Sequence, residues 1–132
     1  MNAKEIATLA HAGQFRRDGV TPYITHPEKV AAFFEEGTLE WEIAWLHDVL
    51  EDTQLTSLGL ADMGVSDYVR THVRFLTHKK EVDYFQYIRK VASAPVARKI
   101  KIADIFANLS DSPTERQKQK YKKALKILLA KL

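Results

Sequence analysis

Cysteine is absent from the 132 residues. That excludes a disulfide framework and any thiolate metal site, so a metal would need nitrogen and oxygen donors. No apolar run is long enough to cross a bilayer, and the N-terminus lacks the pattern of a secretory signal. The expected setting is the cytoplasm, with no membrane partner. Proline and glycine are sparse, four and five residues respectively, and strand signals are weak, which argues against a sheet. There is no internal repeat, linker or low-complexity tract, so one domain is expected over residues 1–132.

What is present suits a globular chain: 45% hydrophobic and 28% charged residues, and enough length to bury one substantial core. The formal charge of +3 is unevenly spread. Residues 116–131, "RQKQKYKKALKILLAK", are rich in Lys and Arg and hold no acid. Such an excess can attract anions. Here, however, the lysines alternate with a leucine stripe, and aromatic platforms for single-stranded nucleic acid are few. The segment reads as a helix with a solvated basic face, not as a nucleic-acid interface.

The longer segments have helical periodicity. "NAKEIATLAHAGQ" puts Ile6, Leu9, Ala10 and Gly13 on one face. The stretch "FRRDGVTPYITHP" is a loop, because its glycine and two prolines forbid a long regular element. Pro27 suits the first turn of a helix over 27–36, and Gly37 can end it. Thr38 can cap a helix over 39–52, where Leu39, Ile43, Leu46 and Leu50 recur at helical spacing, with Trp45 and Val49 beside them. That wide apolar surface predicts a central, mostly buried helix. Further helices are expected near 56–62, 66–76, 82–92 and 95–108. Ser112-Pro113-Thr114-Glu115 has the form of a capping box, opening a last helix with Tyr121, Leu125, Leu128 and Leu132 as its apolar stripe. The fold class is all-α.

Within the apolar segment "WLHDVLEDT" lie His47, Asp48, Glu51 and Asp52. On a continuous helix His47 would share a strip with Glu51, and Asp48 with Asp52. Three carboxylates so close together repel one another and are costly to desolvate, and a bound cation would offset both penalties. The plainer alternative is a helix end at the surface, with Glu51 and Asp52 solvated. Two other segments share the anomaly. His26 lies between a proline turn and a helix start in "TPYITHPEKV", and Asp104 sits in the apolar "RKIKIADIFANL" with Asn108 one turn further on.

The order His…His-Asp…Asp, with Glu-Asp three residues after the first Asp, resembles the HD-domain phosphohydrolases. The elements "AHAGQFRRDGVTPYITHPEKVA", "AWLHDVLEDT" and "KIKIADIFANL" resemble in particular the alarmone-hydrolase branch of the RelA/SpoT homologues, over about residues 10–109. The resemblance implies a single HD-domain helical bundle. It also implies that His26, His47, Asp48 and Asp104 hold one divalent ion, typically manganese, a donor set that suits a borderline-to-hard cation. Glu51 and Asp52 match the acidic pair that orients and activates water. Arg16 and Arg17 match the basic pair that contacts the nucleotide, by stacking or by clamping phosphate. Asn108 matches a residue near the ribose and base. Tyr23 reads as packing beneath the metal loop.

Longer relatives carry "LADRLHN" where this chain reads "IADIFAN". Ile105 and Ala107 thus stand in place of polar groups expected near the pocket. The expected function is metal-dependent hydrolysis of a nucleotide, with guanosine 3′,5′-bis(diphosphate) the first candidate. A phosphatase of another nucleotide such as NADPH, and a silent nucleotide-binding module, are the alternatives. Oligomeric state stays open, as does the division of labour between the two arginines.

Overall fold

Short polar residues with side-chain oxygens precede most of the helices in the computed structural model, which describes all 132 residues. Asn2, Thr38, Thr56, Ser66, Asp83 and Thr114 each accept a bond from a backbone N–H of the first turn that has no partner within its helix. The helices so begun are α1 (Ala3–Ala10), α3 (Leu39–Leu46), α5 (Ser57–Asp62), α6 (Asp67–Phe75), α7 (Tyr84–Ala92) and α9 (Glu115–Leu129). α8 (Pro95–Leu109) starts instead with proline in its first turn. α2 (Thr25–Ala31) and α4 (Val49–Asp52) are short and have no side-chain cap. No sheet is formed. The one β-type contact is an isolated bridge between Phe15 and Pro22.

α3 lies at the centre, packed on α1, α2, α6 and α8, while α9 closes over α7 and α8. Ile43, Ala44, Trp45 and Leu46 are buried in succession, so this segment is enclosed on all sides. They belong to one core of 27 buried apolar residues. Each large aliphatic side chain in it contributes about 1.5–3 kcal/mol of burial free energy.

Several expectations need correction. The helix over 39–52 is broken at His47–Asp48, where Nδ1–H of His47 donates to the Ala44 carbonyl at 2.6 Å. That carbonyl would serve the Asp48 N–H in a continuous helix. The ladder resumes with Asp52 N–H to Asp48 O at 2.9 Å. α1 stops at Ala10, Leu9 is exposed, and Gly13 takes φ +81° beyond the helix end. α2 ends at Ala31, well short of residue 36.

The capping box of α9 is Thr114 with Gln117, two residues later than the Ser112–Glu115 spacing suggests. Ser112 sits at φ +48°, outside any helical start, and Thr114 has the extended backbone a cap requires. Of the expected stripe, Tyr121 and Leu128 are buried, joined by Ala124, whereas Leu132 is exposed.

Candidate metal and catalytic site

His26, His47 and Asp104 are buried polar residues that the fold brings together from α2, the α3–α4 break and α8. Their ligand atoms all lie within 4.8 Å of one another, and the cluster could hold a metal ion. Nε2 of His26 is 2.8 Å from Asp104 Oδ1 and 3.7 Å from Asp48 Oδ2. Nε2 of His47 is 3.1 Å from Asp48 Oδ2 and 3.4 Å from Asp104 Oδ1.

The donors fit a cation. Because Nδ1 of His47 donates to Ala44 O, its other nitrogen faces the carboxylates, and that buried Nε2 has no hydrogen-bond partner. A backbone carbonyl on one imidazole nitrogen, leaving the other for an ion, is the usual arrangement of a metal-binding histidine. Burial acts to lower the His47 pKa, but Asp48 and Asp104 outweigh it and hold the imidazole well above its usual range. Burial likewise acts against the Asp48 and Asp104 charges. His47 outweighs it at Asp48, and Lys101 with the two histidines at Asp104, so both acids are lowered. The negative surroundings that favour a proton on His47 also favour a cation among these donors.

Glu51 and Asp52 stand at the rim. Glu51 Oε1 accepts from the His78 N–H at 2.7 Å, and Asp52 Oδ2 accepts from the Tyr23 hydroxyl at 3.2 Å. Burial raises the pKa of both carboxyls, and Asp48 adds to the effect. A carboxyl whose pKa is raised is a better proton acceptor in its ionised form.

The loop before α2 is held as a tight hairpin, with Arg16 N–H to Thr21 O at 2.7 Å and Tyr23 N–H to Gln14 O at 2.9 Å. Gln14 Nε2 donates to Asp52 O at 2.7 Å, docking the loop on α4. Arg16 is thereby placed over the Tyr23 ring, 5.4 Å from its centroid. It donates to Asp111 Oδ2 through Nε at 3.0 Å and to Asn108 Oδ1 at 3.3 Å. Asn108 in turn reaches Asp104 Oδ1 at 3.4 Å. Arg17 is exposed and lines an adjoining cleft of about 220 Å³, shared with Arg16 and Tyr121.

These groups surround a cavity of about 340 Å³. Arg16, His26, Asp48, Glu51, Asp52, Asp104 and Asn108 line it, whereas His47 and Arg17 do not. Ile105 and Ala107 do not line it. Both are buried in the core of this chain.

Other lining residues escape a reading of the sequence. The Tyr23 hydroxyl donates to Asp48 Oδ2 at 2.6 Å, a polar contact in place of the plain packing expected. Lys101 Nζ is 2.7 Å from Asp104 Oδ2, and Leu76, His78, Tyr84, Tyr87, Lys120 and Tyr121 complete the wall. Lys101 alone had a signal, three residues before Asp104 and so one turn away.

No family model matches the chain. The guanosine-3′,5′-bis(diphosphate) 3′-pyrophosphohydrolase of Haemophilus influenzae is 52% identical over 60 residues, covering 43% of this chain and 9% of that protein. The bifunctional (p)ppGpp synthase/hydrolase SpoT of Escherichia coli is 50% identical over 54 residues, 39% of this chain and 8% of that protein. The chain therefore spans under a tenth of the length of these bacterial relatives. Human guanosine-3′,5′-bis(diphosphate) 3′-pyrophosphohydrolase MESH1 is 34% identical over 122 residues, covering 84% of this chain and 68% of that protein. A solved structure of a metazoan SpoT orthologue that hydrolyses ppGpp superposes with a TM-score of 0.77. It is 24% identical and covers 98% of this chain and 82% of that one, a likeness of fold.

Proposed function

The chain belongs to the MESH1-type guanosine-3′,5′-bis(diphosphate) 3′-pyrophosphohydrolase family of all-α HD folds, and from that membership we propose that it is a metal-dependent phosphohydrolase, acting as one domain on guanosine 3′,5′-bis(diphosphate). The observation that carries the reading is the buried His26–His47–Asp104 cluster with its unpartnered His47 nitrogen. Asp48 would complete the donor set, and two imidazoles with two carboxylates suit a borderline-to-hard divalent ion, for which the family resemblance implies manganese. When bound, the ion supplies Lewis-acid polarisation of a phosphate oxygen and of water.

The chain's own residues account for the rest. Glu51 takes the proton of the attacking water, its carboxylate oriented by the His78 N–H. Asp52 positions that water from the other side, held by the Tyr23 hydroxyl. Attack on the phosphorus next to the ribose forms the new P–O bond and breaks the one to the 3′ oxygen. This releases pyrophosphate and the 5′-diphosphate nucleoside, whose 3′ oxygen takes up a proton to become a hydroxyl. Arg16, backed by Asp111 and Asn108, binds the nucleotide, and its guanidinium can stack on the purine or clamp phosphate. Arg17 extends the binding surface in the adjoining cleft, and Asn108 serves the ribose and base.

Incubation of metal-free protein with the bis(diphosphate), NADPH and a panel of nucleoside phosphates, with and without Mn²⁺, tests the reading by chromatography of the products. Mn²⁺-dependent pyrophosphate release from the bis(diphosphate) is expected. Turnover of NADPH alone would keep the chemistry and replace the substrate. No turnover of any of them, with metal bound stoichiometrically, would overturn the reading in favour of a binding module.

A further inference from the structure

One buried histidine takes no part in the metal cluster. His11 is 2% exposed and stands just past the end of α1. Gly13, at φ +81°, turns the chain back there, a conformation that glycine adopts without a Cβ clash. Gln14 N–H then reaches His11 O at 3.0 Å, and the two side chains meet. His11 Nδ1 lies 2.8 Å from Gln14 Oε1, and Gln14 Nε2 donates to Asp52 O at 2.7 Å.

The direction of these bonds is fixed from the far end. A backbone carbonyl only accepts, so Gln14 must turn its NH₂ to Asp52 and its oxygen to His11. That oxygen also only accepts, which puts the proton on His11 Nδ1. Nε2 of His11 is buried without a partner, and a proton there would have nothing to receive it.

Asp52 needs a brace. It ends α4, a helix of four residues without a side-chain cap, too short to persist by its own hydrogen bonds. Its carbonyl is among those that a helix leaves unpaired at its C-terminal end, and Gln14 answers it. Its carboxylate is held separately by the Tyr23 hydroxyl at 3.2 Å, and the His11 ring packs on the Tyr23 ring with centroids 4.8 Å apart. One imidazole thus stands behind both contacts to Asp52. We propose that His11 is a positioning residue that, through Gln14, fixes Asp52 where it orients the attacking water. The role of that water rests on the hydrolase reading above.

Two substitutions separate the N–H of His11 from its ring. His11→Phe keeps a ring against Tyr23 and loses the donor, whereas His11→Asn loses the ring and keeps an N–H. Nitrogen-15 NMR of metal-free protein should find the wild-type His11 proton on Nδ1. The Gln14 side-chain amide should shift in His11→Phe and far less in His11→Asn. With Mn²⁺ and guanosine 3′,5′-bis(diphosphate), kcat should fall about tenfold in His11→Phe, the size of one hydrogen bond, with KM and metal content unchanged. His11→Asn should recover most of it. Gln14→Met cuts the same chain at a half-buried position and should reproduce the loss, also where a His11 variant fails to fold. A proton on Nε2, a Gln14 amide unmoved by His11→Phe, or a higher kcat in His11→Phe than in His11→Asn would overturn the assignment. The expected NMR result in a protein that releases no pyrophosphate would uphold the brace on Asp52 and fell the hydrolase reading.

Discussion

Asp104 answers two charges at once, accepting from His26 through Oδ1 and pairing with Lys101 through Oδ2. Asp104→Ala should therefore do more than abolish metal binding and turnover. It leaves Lys101 buried without its carboxylate, and loss of one partner of a buried pair costs roughly 3–5 kcal/mol. Urea unfolding of metal-free protein should show a destabilisation of that order. Tyr23→Phe removes one hydroxyl that serves both Asp48 and Asp52 while keeping the ring beneath Arg16. Turnover should fall about tenfold, and the melting temperature should fall by several degrees, since one hydrogen bond to a charged group contributes roughly 1.5–3 kcal/mol to stability. At this scale the sequence is legible wherever a charge interrupts an apolar run. His26, Asp48 and Asp104 stand out that way and do meet. Tyr23, Tyr84 and Tyr121 do not, because an aromatic in an amphipathic segment looks like core until the fold supplies its polar neighbour.

Among the elements, α9 carries Tyr121 and Lys120 into the cavity wall. Its start depends on Thr114, whose side chain accepts from Gln117 N–H at 3.1 Å while Gln117 returns a bond at 3.0 Å. Thr114→Ala should cost about 1 kcal/mol in denaturant unfolding. The loop before α2 has a device of its own. The Thr21 hydroxyl, then the Thr21 and Val20 N–H groups, hold the Asp18 carboxyl at about pKa 2, below its usual 3.8. The ionised form is the one favoured by the folded turn, so its stabilisation is full above about pH 4 and lost as pH falls through about 2. Amide resonances of Val20 and Thr21 followed by NMR should titrate in that window, and Asp18→Asn should abolish the transition. Helix existence follows from periodicity and caps here, and the bounds expected near 56–62, 66–76, 82–92 and 95–108 match within two residues. The break after α3 does not, because a side chain that takes a backbone carbonyl leaves no mark on hydrophobic spacing.

For the whole molecule, motif order carries the all-α HD architecture, and the likeness to MESH1 over 84% of the chain agrees with it. What no motif reveals is which face each helix turns to the cavity. Ile105 and Ala107 illustrate this: beside Asp104 in sequence, they point into the core instead. In the proposed mechanism His26, His47, Asp48 and Asp104 bind the ion while Glu51 performs the proton chemistry. Metal content and kcat of Glu51→Gln, determined on one sample, test it most directly. One Mn²⁺ per chain is expected, as in wild type, with kcat lowered about 10²- to 10⁴-fold, the usual worth of a general base. Full turnover by Glu51→Gln with the ion in place would contradict it.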